Sequence, residues 1–128
     1  MGYRSEVQVL VAGKRGDVFE FLHWMEVQKR DASDDTYLEN HWDNLIRMQD
    51  IVQEDSEEVQ VAFCADSFKA YDPWDKVIEE VERYCTDKDL AFAYGRIGEE
   101  ISDMDLKDNG KGLYTYYSRK FNDPFSDY

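Results

Sequence analysis

Cysteine, proline, histidine and positive charge are all scarce in this chain. Two cysteines, two prolines and two histidines are present, and 15 basic residues face 29 acidic ones. Cys64 and Cys85 match no paired zinc-ligand spacing, so both read as reduced thiols inside buried segments. His23 and His41 lie in no H-E-x-x-H pattern and read as histidines at the edge of a core. No apolar run approaches the roughly 20 residues of a membrane span. The opening MGYRSEVQVL also lacks the apolar centre of a secretory signal. A cytosolic protein is the expectation. The net charge of −14 repels nucleic acid and anionic membrane and attracts basic surfaces.

What is present is core material. Hydrophobic residues make up 42% of the 128 positions and aromatics 15%. That suffices for one domain without disulfide support. The domain is expected over residues 1–122, with a loose tail at 123–128 around Pro124. Nothing in the chain repeats, and nothing reads as an interdomain linker.

Periodicity gives the elements. Val7, Val9 and Val11 alternate with Gln8 and Leu10 as a strand. Asp17, with Glu20 three places on, predicts a capping box. The helix it opens carries Val18, Phe19, Leu22, Trp24 and Met25 on its inner stripe. A second helix is expected from Asp34 or Asp35 to Met48, with Tyr37, Leu38, Trp42, Leu45, Ile46 and Met48 inward. Ile51–Gln53 could form a short strand, and residues 54–58 an exposed acidic turn. Val59, Val61 and Phe63 then mark a strand that ends at Asp66-Ser67. Asp72 caps a helix with Pro73 in its first turn. Its inner face holds Trp74, Val77, Ile78, Val81, Tyr84 and Cys85, and Glu79 and Arg83 are spaced to pair. Leu90, Phe92 and Tyr94 form a further strand. A Gly-punctuated acidic loop follows through Asp103 and Asp105, then a turn at Asn109-Gly110 and a last, tyrosine-rich strand over Leu113–Phe121. The order β-α-α-β-α-β-β predicts an α+β fold: an antiparallel sheet with helices packed on one face, ferredoxin-like or a related sandwich.

Catalytic patterns are weak. Asp105, Asn109 and Gly110 suit positions one, five and six of a calcium loop, but Lys107 and Tyr116 stand where ligands belong. Neither cysteine opens a helix or has a basic neighbour to lower its pKa. Phosphate-binding glycine loops are absent. The carboxylate pairs Glu99-Glu100 and Asp103/Asp105 read as an exposed loop. The residues thus point to no cofactor, no metal and a non-enzymatic role.

Charge is where the sequence speaks. Residues 49–89 hold thirteen acids and four bases, net −9. Residues 1–48 carry −3 and residues 90–128 carry −2. Solubility alone needs no such focus, whereas a concentrated negative field steers a basic partner. Glu54, Asp55, Glu57, Glu58, Asp72, Asp75, Glu79 and Glu82 are the expected partner-binding residues. Together they could imitate nucleic-acid phosphates toward a protein that binds nucleic acid.

Gly2-Tyr3-Arg4-Ser5-Glu6-Val7 resembles the opening strand of a set of small, uncharacterised acidic proteins of bacteriophages and prophages. So do the strand ending in Ala65-Asp66, followed by Lys69 and Tyr71, and Arg96-Ile97-Gly98-Glu99. The match covers both ends of the fold and its centre. Residues 32–48 fit it less well, and the tail after Phe121 does not fit. The resemblance implies a mobile-element origin, a bacterial host cytoplasm and, by analogy of class, inhibition of a host or defence protein. Two other readings are open. One is a virion-assembly accessory or homodimer joined through Tyr114, Tyr116 and Tyr117; the other is a small metal-dependent hydrolase using the acidic loop.

Overall fold

The computed structural model describes residues 5–68, 72–98 and 104–113; side chains are described for these except at positions 5, 66–68, 72 and 73. The chain order is β1 (Ser5–Lys14), α1 (Arg15–Asp31), α2 (Thr36–Arg47), β2 (Gln49–Glu54), β3 (Glu58–Phe68), α3 (Asp72–Asp87), β4 (Ala91–Ile97) and β5 (Met104–Asp108). The strands form one antiparallel sheet in the order β2-β3-β1-β4-β5. The protein is therefore α+β. The run β2-β3-β1-β4 is the split βαβ arrangement, with α2 added to the first crossover and β5 added at one edge.

β1 lies at the centre because its valines need cover. Val9 sits between Phe63 of β3 and Tyr94 of β4, and Val11 between Val61 and Phe92. All of these point to one face and are buried with Val18, Phe21 and Met25 of α1, Trp42 and Leu45 of α2, and Trp74, Val77, Ile78 and Val81 of α3. The helices thus share one face of the sheet. On the other face Leu10, Ala62 and Ala93 form a small separate cluster against Leu113.

Several local expectations are corrected. Asp17 does not cap α1, which begins at Arg15 after Lys14 with no side-chain cap. Instead the Arg15 N–H donates to the Glu57 carbonyl at 2.8 Å. A turn remote in sequence satisfies one of the helix's orphan donors. The inner stripe of α1 is Val18, Phe21 and Met25, with Phe19 and Leu22 only half-buried. Phe21 packs edge-on against Phe63, with 6.3 Å between ring centroids. Asp35 caps α2 as its spacing predicts, accepting from the Leu38 N–H at 3.2 Å. Tyr37, however, is 70% exposed, and His41 takes the inward place at 4% exposure, bonded through Nδ1 to the Tyr37 carbonyl at 2.7 Å. Asp43 holds the two helices together, accepting from Lys29 of α1 and Arg47 of α2, each at 2.8 Å. Both partners hold its carboxyl below the usual range, Lys29 more than Arg47.

The strands also run differently from their sequence pattern. β2 is six residues long, and β3 continues through Asp66-Ser67 to Phe68. Cys64, expected to be buried, is exposed, because its position on β3 points to the helix-free face. The acidic loop at Asp105 is the strand β5, since Arg96 and Tyr94 of β4 offer register partners to Asp105 and Lys107. The tyrosine-rich segment 114–121 and the tail at 123–128 lie outside the described residues.

Candidate acidic interface

The β2–β3 turn is built by its own carboxylates. Asp55 accepts the backbone N–H groups of Glu57 at 2.8 Å and Glu58 at 2.7 Å, and its own N–H donates to the Glu58 carbonyl at 2.9 Å. An Asp that turns the chain onto its own side chain in this way is an Asx-turn. Those two N–H donors, Glu58 first, pull the Asp55 carboxyl below its ordinary pKa. Glu54, the last residue of β2, pairs with Arg15 at the start of α1. The Arg15 guanidinium also lies over the Phe19 ring, 5.1 Å from its centroid. Glu57 and Glu58 are exposed, and no cation among the described residues pairs with them.

α3 presents a different arrangement. Its inner side carries Trp74, Val77, Ile78, Val81 and Cys85, all buried. The Trp74 indole donates to the Tyr94 hydroxyl at 3.0 Å, fixing the helix to β4. Burial pushes the Tyr94 phenol up to about 12. The same cause raises the Cys85 thiol to about 12, so Cys85 is an inert core thiol at neutral pH. On the outer side Asp75 and Glu79 are exposed and Glu82 is half-buried. The expected Glu79–Arg83 pair does not form. Arg83 turns to Glu80 at 3.1 Å instead, leaving Glu79 without a salt bridge among the described residues. At 1.5 Å per residue, Asp75, Glu79 and Glu82 make a line with steps of about 6 and about 4.5 Å. Glu79 and Glu82 line an open groove of about 440 Å³ together with Arg83, Thr86 and Asp87 of α3 and Lys107 of β5.

Seven of the eight expected contact residues are therefore placed, and they fall into two groups. Glu54, Asp55, Glu57 and Glu58 stand at the β2 edge of the sheet, whereas Asp75, Glu79 and Glu82 stand on α3, the last two beside Lys107 of the β5 edge. Four strand spacings, about 19 Å, separate those edges. Asp72 opens α3, but its side chain is outside the described residues. Sequence reasoning missed Ile51 and Val52 as surface groups, 39% and 52% exposed on β2. An Ile-Val pair between Gln49-Asp50 and Gln53-Glu54-Asp55 was the available signal of an edge strand.

The calcium-loop residues serve the fold. Asn109 Oδ1 accepts the Phe92 N–H at 3.0 Å, and its Nδ2 donates to the Leu90 carbonyl at 2.7 Å. Gly110 turns at φ +76° with its N–H on Asp108 Oδ1. Among the described residues no three His, Cys, Asp or Glu side chains gather as a metal site, and no helix is long and apolar enough to cross a membrane. No protein-family model matches the chain, and no curated protein or solved structure matches it significantly.

Proposed function

We propose that this chain is a non-enzymatic, acidic binding protein that occupies a basic surface of a partner. The observation that carries the reading is the outer side of α3, where Asp75, Glu79 and Glu82 stand in line and, among the described residues, none is in a salt bridge, although Arg83 and Lys107 line the groove beside Glu79 and Glu82. Unpaired charge held on a rigid helix produces a directed field, and such a field speeds and orients encounter with cations. A basic surface of that kind is often one that itself holds nucleic acid. Together with the likeness of the opening strand to phage proteins, this makes inhibition of a host or defence protein by imitation of a phosphate backbone the favoured biological role. The inhibitor would then act in the bacterial host cytoplasm.

The test is capture from a bacterial lysate by the immobilised chain and by the D75N/E79Q/E82Q triple variant. Capture is read at about 0.05 M and about 0.5 M salt, which brackets weak and strong screening. Nucleic-acid-binding proteins are expected on the unaltered chain at low salt, displaced by added duplex DNA and lost from the variant. Capture that ignores both salt and the substitutions would overturn the reading.

A further inference from the structure

We propose that β2 is a docking edge, at which an extended, lysine- or arginine-rich segment of a partner adds as a strand antiparallel or parallel to it. Among the described residues β2 pairs with β3 alone, and all six of its residues are exposed. Its outer row of backbone N–H and C=O groups is therefore an open template for pairing. Six residues span about 20 Å, a usual strand length. Ile51 and Val52 supply apolar contact there. Alternate side chains of an added strand would pack against them.

Charge selects the occupant. Residues 49–58 contain Asp50, Glu54, Asp55, Glu57 and Glu58 and no basic residue. Arg15 answers Glu54, while Asp50, Glu57 and Glu58 are exposed without a cation among the described residues. A second copy pairing β2 to β2 would oppose two acidic strands at close range, which is unfavourable. The register shift between Ile51 and Gln53 marks a bulge in this strand. Bulges and like charges are the usual means by which an edge refuses its own kind. A cationic segment meets no such penalty and gains from every acid on the rim. The inference takes the sign of the partner's charge from the acidic-binding reading. It adds a second place, distinct from α3, and a mode, main-chain pairing.

The test uses the full chain with isotopically labelled amides and a capped peptide of alternating lysine and valine. Two controls accompany it: the same peptide with every backbone nitrogen methylated, and one with glutamate for lysine. Methylation keeps the charge and removes the donors. At low salt the plain peptide is expected to bind at least about tenfold more tightly than the methylated one. It should also slow amide exchange within residues 49–54. Equal binding of the methylated peptide overturns strand addition and leaves the charge reading standing. Equal binding of the glutamate peptide overturns both. Binding of none of them, or exchange changes confined to α3, overturns the β2 assignment, while lysate capture decides the charge reading separately. A concentration-dependent dimer protected at residues 49–54 would assign the edge to a second copy instead.

Discussion

The β2–β3 turn and the outer side of α3 are equally acidic in sequence and unlike in structure. In the turn, two of the four carboxylates are at work: Asp55 holds two backbone N–H groups and Glu54 ties β2 to the first residue of α1. On α3, Asp75, Glu79 and Glu82 hold nothing among the described residues. Charge density along a sequence does not separate these uses. The difference arises because a turn exposes backbone donors that a carboxylate can satisfy, whereas a helix interior has already spent them on its own carbonyls. Fold-stabilising charge on Glu54 and Asp55 therefore stands beside uncommitted Glu57 and Glu58 at the β2 edge, whereas the α3 carboxylates stand toward the β5 edge, about 19 Å away, and stabilise nothing among the described residues.

Four measurements would break or sharpen that contrast. The largest effect is expected from the inner side of α3. Trp74→Ala removes a buried indole and its hydrogen bond to Tyr94, and should cost about 3–5 kcal/mol in urea unfolding. A loss as small as those of the outer carboxylates would mean that α3 is not anchored through this face. Next comes Asn109→Ala, which leaves the Phe92 N–H and Leu90 carbonyl without their side-chain partner; about 1–3 kcal/mol is expected by the same method.

Asp55→Ala should lower the melting temperature modestly at neutral pH, with a distinctive pH dependence. The folded pKa of Asp55 lies below its unfolded value of about 3.9, so its contribution is fully present above that value. It is lost as pH falls through the folded pKa, because the protonated carboxyl accepts the Glu57 and Glu58 N–H groups poorly. The melting curves of parent and variant should therefore converge toward acid; a constant gap at all pH values would show that the side chain acts by packing. Asp43 is depressed by Lys29 and Arg47 and adds a loss of the same sign on the acid side. The smallest effect belongs to Asp75→Asn and Glu79→Gln, within about 0.5 kcal/mol in either direction. If these match Asp55→Ala in cost, the α3 carboxylates are structural and the contact reading loses its basis.

Much of this was open to reading from residue pattern alone. The valine alternation of β1, the Asp35 cap and the Trp74–Cys85 stripe each appear where local spacing puts them, because each depends on neighbours within one or two turns. The errors share a cause. Asp17 with Glu20 has the spacing of a capping box, yet the Glu57 carbonyl arrives first at the helix start. Tyr37 has the spacing of a core residue, yet His41 occupies the inward side of α2. Asp105 lies in a segment that reads as a loop, yet β4 provides a ladder that makes it a strand.

By itself the sequence determined the α+β class, the existence of six of the eight elements, with β2 left open, and the concentration of charge in residues 49–89, all of which follow from periodicity and composition. Only the tertiary structure decided, among the described residues, which carboxylates remain uncommitted, that β2 has a strand partner on one side alone, and that the acidic residues divide between two edges. Those facts depend on which backbone donors and cations are brought within about 3 Å of a carboxylate by elements far apart in the chain.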